Sequence, residues 1–175
     1  MDNLWYHGRN VKSTDFSYQY VGKGNDQEGA GFYFTKDKEF ALGYAEANGI
    51  VMTVKLTPRK LIDPKKPAKP KDIKFMILNA PDHLDSLSNF AEHPREALIM
   101  AMNAYATSYD DASDAMQTIE NDFYKGHAPE FLINLVRLGY DGHIVHERVY
   151  THFVCYNPKI IEIVQVEDAE NLRNL

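Results

Sequence analysis

Four prolines, Pro58, Pro64, Pro67 and Pro70, fall within one lysine-rich stretch of this 175-residue chain and limit its fold more sharply than any other feature. Proline lacks the amide donor and fixes its own φ, so the stretch can form neither a central strand nor a helix interior. It reads as an exposed, partly extended loop over residues 58–72, and the pattern changes across it. Before the loop, IVMTVKL at 50–56 alternates with period two, the mark of a strand. After it, PREALIMAMNAYA, DASDAMQTIENDFY and APEFLINLVRLG carry apolar residues at three- and four-residue steps, the spacing of a helix face. This predicts a helical insertion at about 73–127, then a further helix that opens near Pro129 and stops at Gly139.

Strand patterns lie on both flanks. Leu4-Trp5-Tyr6-His7 ends at Gly8, and GFYFT at 31–35 leads into a helical spacing of Phe40, Ala41, Tyr44 and Ala45 that stops at Gly49. Late strands are expected at 142–146, 150–156 and 160–166, with residues 147–149 turning the first pair into a hairpin. Residues 9–29 are polar and glycine-punctuated, a long surface loop with one helical turn, and loops of that length in compact domains usually serve a function. Strands, then helices, then strands define an α+β class with a mostly antiparallel sheet, in one domain over 1–175.

Charge narrows the partners. The total is −6, which argues against a surface that is a nucleic-acid platform throughout. Residues 55–74, however, hold eight Lys or Arg against Asp63 and Asp72, a surplus of six that leaves the rest of the chain at −12. The basic loop is therefore a candidate docking surface for an acidic partner or for nucleic-acid phosphate. Cys155 is the only cysteine and cannot form an intrachain disulfide; it reads as a buried small apolar residue, and a cytoplasmic location is the simplest expectation. No basic leader followed by an apolar run opens the chain, and no apolar run reaches the ~18 residues of a membrane helix.

Three pieces carry chemistry. Glycine after His7 leaves a bare backbone against which a flat, amide-bearing ring can lie, while the imidazole supplies a hydrogen bond. Tyr33 and Tyr44, eleven residues apart across a strand-to-helix crossing, can form an aromatic slot for a planar heterocycle. His143, His146 and His152 share one hairpin, but spacings of three and six do not converge on one strand face and no cysteine pair joins them, so no metal is expected.

The ordered set Tyr6-His7-Gly8, Gly31-Phe32-Tyr33-Phe34-Thr35 with Tyr44 beyond, Leu138-Gly139-Tyr140-Asp141-Gly142 and Tyr156-Asn157-Pro158 resembles the ADP-ribosyltransferase superfamily. It is nearer the diphtheria-toxin-like and poly(ADP-ribose) polymerase branch, and the small transferase-like domains of phage and prophage proteins, than the arginine-serine-glutamate branch. The resemblance covers about residues 4–56 and 130–166. It implies a split antiparallel β-sheet core with an inserted helical layer and NAD as substrate. The implied activity is a glycosyltransferase reaction: cleavage of the nicotinamide–ribose bond and transfer of ADP-ribose to a protein or nucleic-acid acceptor. His7 would meet the adenosine ribose, the Gly8 backbone the carboxamide, and Tyr33 and Tyr44 the nicotinamide ring.

The family also places a glutamate at the start of the late strand, where a carboxylate stabilises an oxocarbenium-like transition state. His152 stands there in this chain, and an imidazole offers no negative charge. Glu147 is the alternative catalytic carboxylate, although its odd offset from His152 puts it on the other strand face unless a bulge or turn intervenes; Glu130 is a further candidate. Arg9 and Ala41 stand where relatives carry small hydroxyl residues. A catalytically degenerate nucleotide- or protein-binding module, and an α+β structural protein whose aromatics are all core, remain the two other readings.

Overall fold

The computed structural model describes residues 4–22, 29–146 and 150–174. Its six strands are β1 (Leu4–Arg9), β2 (Phe32–Thr35), β3 (Ile50–Leu56), β4 (Gly142–His146), β5 (Thr151–Cys155) and β6 (Ile161–Asp168). They form one antiparallel sheet in the order β4-β5-β2-β1-β3-β6. Helix α1 (Lys38–Ala45) connects β2 to β3, and α7 (Ala169–Arg173) follows β6. Between β3 and β4 lie α2 (Pro70–Leu78), α3 (His83–Leu87), α4 (Pro94–Thr107), α5 (Ala112–Phe123) and α6 (Ala128–Arg137). The class is α+β, as the strand–helix–strand order required.

Burial explains why β3 is an interior strand. Val51 packs with Ala41, Leu42, Ala45 and Ala169 on one side, while Met52, Val54 and Leu56 join the main core on the other. A strand covered on both faces sits inside a sheet, and here β1 and β6 flank it. The outer strand β6 carries a bulge, because Thr53 pairs with Gln165 and Val54 with Ile163, leaving Val164 as the extra residue. A bulge twists an edge away from further pairing, and the glutamates beside it act in the same direction.

The proline-lysine loop is shorter and better anchored than its composition suggests. Pro70 opens α2 at a first-turn position, where its missing amide leaves no bond unmade. Leu61 bridges to Gly142, Ile62 and Ala68 are buried, and the amides of Ile62, Ala112 and Asp141 donate to the carbonyls of Gly142, Lys66 and Lys60. Helix α3, five residues long, lies within the expected helical insertion, whereas α7, also five residues, is too short at one turn and a half to give a readable period.

Tyr140 ties the insertion to the strands, because its hydroxyl donates to the buried carboxylate of Asp72 at 2.7 Å. Tyr140→Phe removes the only side-chain donor described for that carboxylate and is expected to destabilise the fold by about 1–3 kcal/mol. The midpoint of urea denaturation reads this directly; an unchanged midpoint would mean that the bond contributes nothing net.

Candidate functional site

Strand β1 pairs with β3 at six positions from Leu4 to Arg9, but its register with β2 holds at Tyr6 opposite Thr35 alone among the described residues. The sheet therefore parts between the His7–Arg9 half of β1 and β2. His7 crosses the gap: Nδ1 lies 2.7 Å from the Tyr33 carbonyl oxygen, and since a carbonyl only accepts, Nδ1–H donates and Nε2 carries the lone pair. The ring packs on Phe16 and Phe34, with centroids at 5.2 and 5.4 Å. Burial lowers the His7 pKa to about 4, against the bond to Tyr33 and with help from the Arg9 charge, so the imidazole is neutral at pH 7.

Helix α1 is held against this gap from three directions. Asp37 caps its start, accepting from the amides of Glu39 and Phe40. Gly8 lies so close to it that a Cβ there would sit 1.7 Å from the Ala41 carbonyl oxygen. At the far end Glu46 takes φ +50°, and Arg173 of α7 donates to the carbonyls of Leu42, at 2.9 Å, and Glu46. The helix thereby presents Phe40 and Tyr44 at a fixed position.

Four rings meet on that face. Phe40 lies 4.1 Å from Tyr150, 5.2 Å from His152 and 5.3 Å from Tyr44, measured between centroids. His152 enters through β5, where it pairs with Thr35, and the period of two puts Val154 and its partner Tyr33 on the same face. Tyr44 is 64% exposed, so its outer surface is open to a ligand. The Tyr33 hydroxyl donates to the Gly29 carbonyl. An open cleft of about 570 Å³, lined by Tyr6, Thr35, Glu39 and Tyr150 among others, adjoins the cluster. Its cations are already engaged, since Lys36 donates to the Leu4 carbonyl and lies over Trp5 while Lys38 pairs with Glu167 at 2.6 Å.

Gly8, Tyr44 and His152 thus gather around α1, Gly8 against Ala41 and the other two against Phe40, whereas the His7 ring packs with Phe16 and Phe34 and meets Tyr33 through its carbonyl. Glu147 lies outside the described residues. Glu130 sits in the first turn of α6, 3.8 Å from His127, and meets no ring of the cluster. The three hairpin histidines separate: His146 faces Thr151, His152 faces Phe40, and His143 is buried against the Tyr156 hydroxyl at 2.5 Å. Cys155 is buried, and burial pushes its thiol up to about 12.

Asp141 and Asn157, from the late motifs, form a clamp rather than a binding group. One Asp141 oxygen accepts from Asn157 Nδ2 at 2.8 Å and the other from the Arg59 and Lys60 amides. Burial opposes the charge, but these bonds and the Arg59 guanidinium hold the carboxyl below its ordinary range. Phe40, Tyr150 and Phe16 were missed from sequence. Phe40 stands one helical turn before Tyr44 and Tyr150 two residues before His152, spacings that could have placed both; Phe16 arrives through a loop and has no such signal.

Burial also lowers the His143 pKa to about 4, with Asp111 partly offsetting it. Between an unfolded value near 6.5 and this folded value the unfolded chain binds the proton and the native one does not, so stability falls as pH falls through that window. The shift of His143 corresponds to a loss on the order of 3 kcal/mol, and His7 adds in the same direction. Urea denaturation at pH 7 and at pH 5, where most carboxylates are still ionised, should show lower stability at pH 5. Equal stability at both would contradict imidazoles held neutral at His7 and His143.

Comparison with protein-family models, curated proteins and solved structures finds no match to this chain.

Proposed function

We propose that the chain is an NAD-binding, ADP-ribosyltransferase-like protein that cleaves the nicotinamide–ribose bond and hands ADP-ribose to a protein or nucleic-acid acceptor. The observation that carries this reading is the gap between β1 and β2. His7 and Gly8 border it, His7 bonded to the Tyr33 carbonyl and Gly8 packed on α1, the helix that carries Tyr44 and meets His152 through Phe40. Helix α1 fills the face left by the missing Gly8 side chain, so the Gly8 amide and carbonyl would meet the carboxamide only along the strand edge; Tyr44 offers an open ring face for stacking, and His7, neutral with a lone pair at Nε2, accepts from a ribose hydroxyl.

His152 sets the rate. It holds the nicotinamide ribose by a hydrogen bond but places no negative charge beside the developing cation, so turnover is slow. A second reading follows from the same cluster: Phe40, Tyr44, Tyr150 and His152 carry no negative charge of their own, and a site built on these rings binds the nucleotide and does not cleave it. Calorimetric titration with NAD, with nicotinamide release followed in the same sample, separates the two. Heat with release supports the transferase, heat without release the binding module, and both require that Tyr44→Ala abolish the heat in a folded protein. Absence of heat with the wild-type chain overturns both.

A further inference from the structure

The anchored loop and the start of α2 form the most basic surface in the sequence, and the structure shows how it is built. Asp72, one of its two acids, is buried under Tyr140, and Asp63 pairs with Lys66 at 2.8 Å. That is the only ion pair of this stretch among the described residues. Lys55 stands opposite Glu162 in the sheet. Lys69, Lys71 and Lys74 are exposed and form no ion pair among the described residues, while Arg59 and Lys65, also exposed, lie near the carboxylates of Asp141 and Asp63.

The cations are also held in place. The buried Ile62 and Ala68, the bridge at Leu61 and the backbone bonds to Gly142 and Ala112 fasten the loop, and each proline removes a degree of freedom. Beneath it lies a concavity of about 140 Å³ lined by Lys60, Lys66, Lys69, Asp63 and Tyr140 among others. Lys60 is fixed there, donating to the Leu138 carbonyl at 2.9 Å with its ammonium 3.7 Å from the centre of the Tyr140 ring.

We propose that this ridge is a docking surface for the phosphate backbone of a nucleic acid. Two observations favour nucleic acid over an acidic protein or an anionic membrane. No large apolar side chain between residues 55 and 74 is exposed, whereas a protein interface needs an apolar centre and a membrane-surface segment needs apolar side chains to insert. Phosphate contacts need only fixed cations, which is what the ridge offers. The −12 carried by the rest of the chain repels a polyanion from every other approach and leaves this one. The ridge does not depend on NAD binding, since its side chains are distinct from those around the β1–β2 gap.

The test is fluorescence-anisotropy titration of the full chain with a labelled 20-base-pair DNA duplex and a single-stranded RNA 20-mer at 50, 100 and 200 mM salt. The expected result is binding at 50 mM to at least one probe, weakening with salt. In Lys66→Gln/Lys69→Gln/Lys71→Gln the affinity at 50 mM should fall at least about tenfold, and the slope of log K against log salt should flatten by about two to three units. Lys12→Gln/Lys125→Gln/Lys159→Gln, which changes net charge equally, should leave the slope unchanged. Binding that both triple variants weaken alike, no binding at 50 mM, or tighter binding to polyglutamate or to phosphatidylserine vesicles than to either nucleic acid each overturns the proposal. Circular dichroism of both variants confirms that exposed lysines were changed without loss of fold.

Discussion

His152→Glu is expected to raise the rate of nicotinamide release by about 10²–10³-fold, the range found when one preorganised electrostatic group is removed from or restored to such a site. The position suits the test, because His152 is only partly buried, lies in a regular strand opposite Thr35, and is bordered by the rings of Phe40 and Tyr150. A carboxylate there gains no like-charge neighbour from the ring cluster. Its charge would act on the ribose as the glycosidic bond lengthens and would do little for the ground state, so the gain belongs in kcat more than in KM. If NAD still binds and release stays at the wild-type level, position 152 does not face the reacting carbon and the transferase reading fails at its centre.

Gly8→Ala carries the largest expected structural effect. The added methyl would lie 1.7 Å from the Ala41 carbonyl oxygen and 2.7 Å from its carbon, so the obstacle is helix backbone and not a side chain that can swing aside. Either α1 lifts from β1 or the strand bends. The expected cost is about 3 kcal/mol or more, at the upper end for overpacking. Gly43→Ala is the matched control on the same helix. A Cβ there meets nothing within 4 Å, and replacing a helical glycine by alanine is expected to stabilise by about 0.5–1 kcal/mol. Thermal unfolding of both variants should therefore move in opposite directions, and a neutral Gly8→Ala would refute the close packing of α1 on β1.

These two substitutions also mark how far the sequence was legible. His-Gly at a strand end, an aromatic strand and the helical spacing of Phe40, Ala41, Tyr44 and Ala45 could be read directly, because each depends on local period and on glycine's missing side chain. The α+β class followed from the order of periods along the chain. Why Gly8 is glycine could not be read that way: the reason is Ala41, 33 positions later, arriving across a helix-to-strand contact. The same holds for His7, whose partner at Tyr33 exists only because β1 and β2 part.

The late motifs show another limit. Gly-Tyr-Asp-Gly and Tyr-Asn-Pro carry part of the resemblance without an assigned role, and the structure gives them one: Asp141 and Asn157 clamp the basic loop to the end of β5, and Tyr140 holds Asp72. Sequence marked them as notable but could not say whether they face a ligand or one another.

Local chemistry alone determined the strands, the longer helices, the proline-bound loop and its surplus of charge, because period, backbone restriction and net charge are properties of neighbouring residues. Tertiary structure alone decided that Phe40 and Tyr150 stand with Tyr44 and His152, that the basic loop is fastened, and that His143 is sealed against Tyr156. Each of those depends on which distant segment supplies the opposing surface, and burial, hydrogen-bond partners and ionisation all follow from that surface.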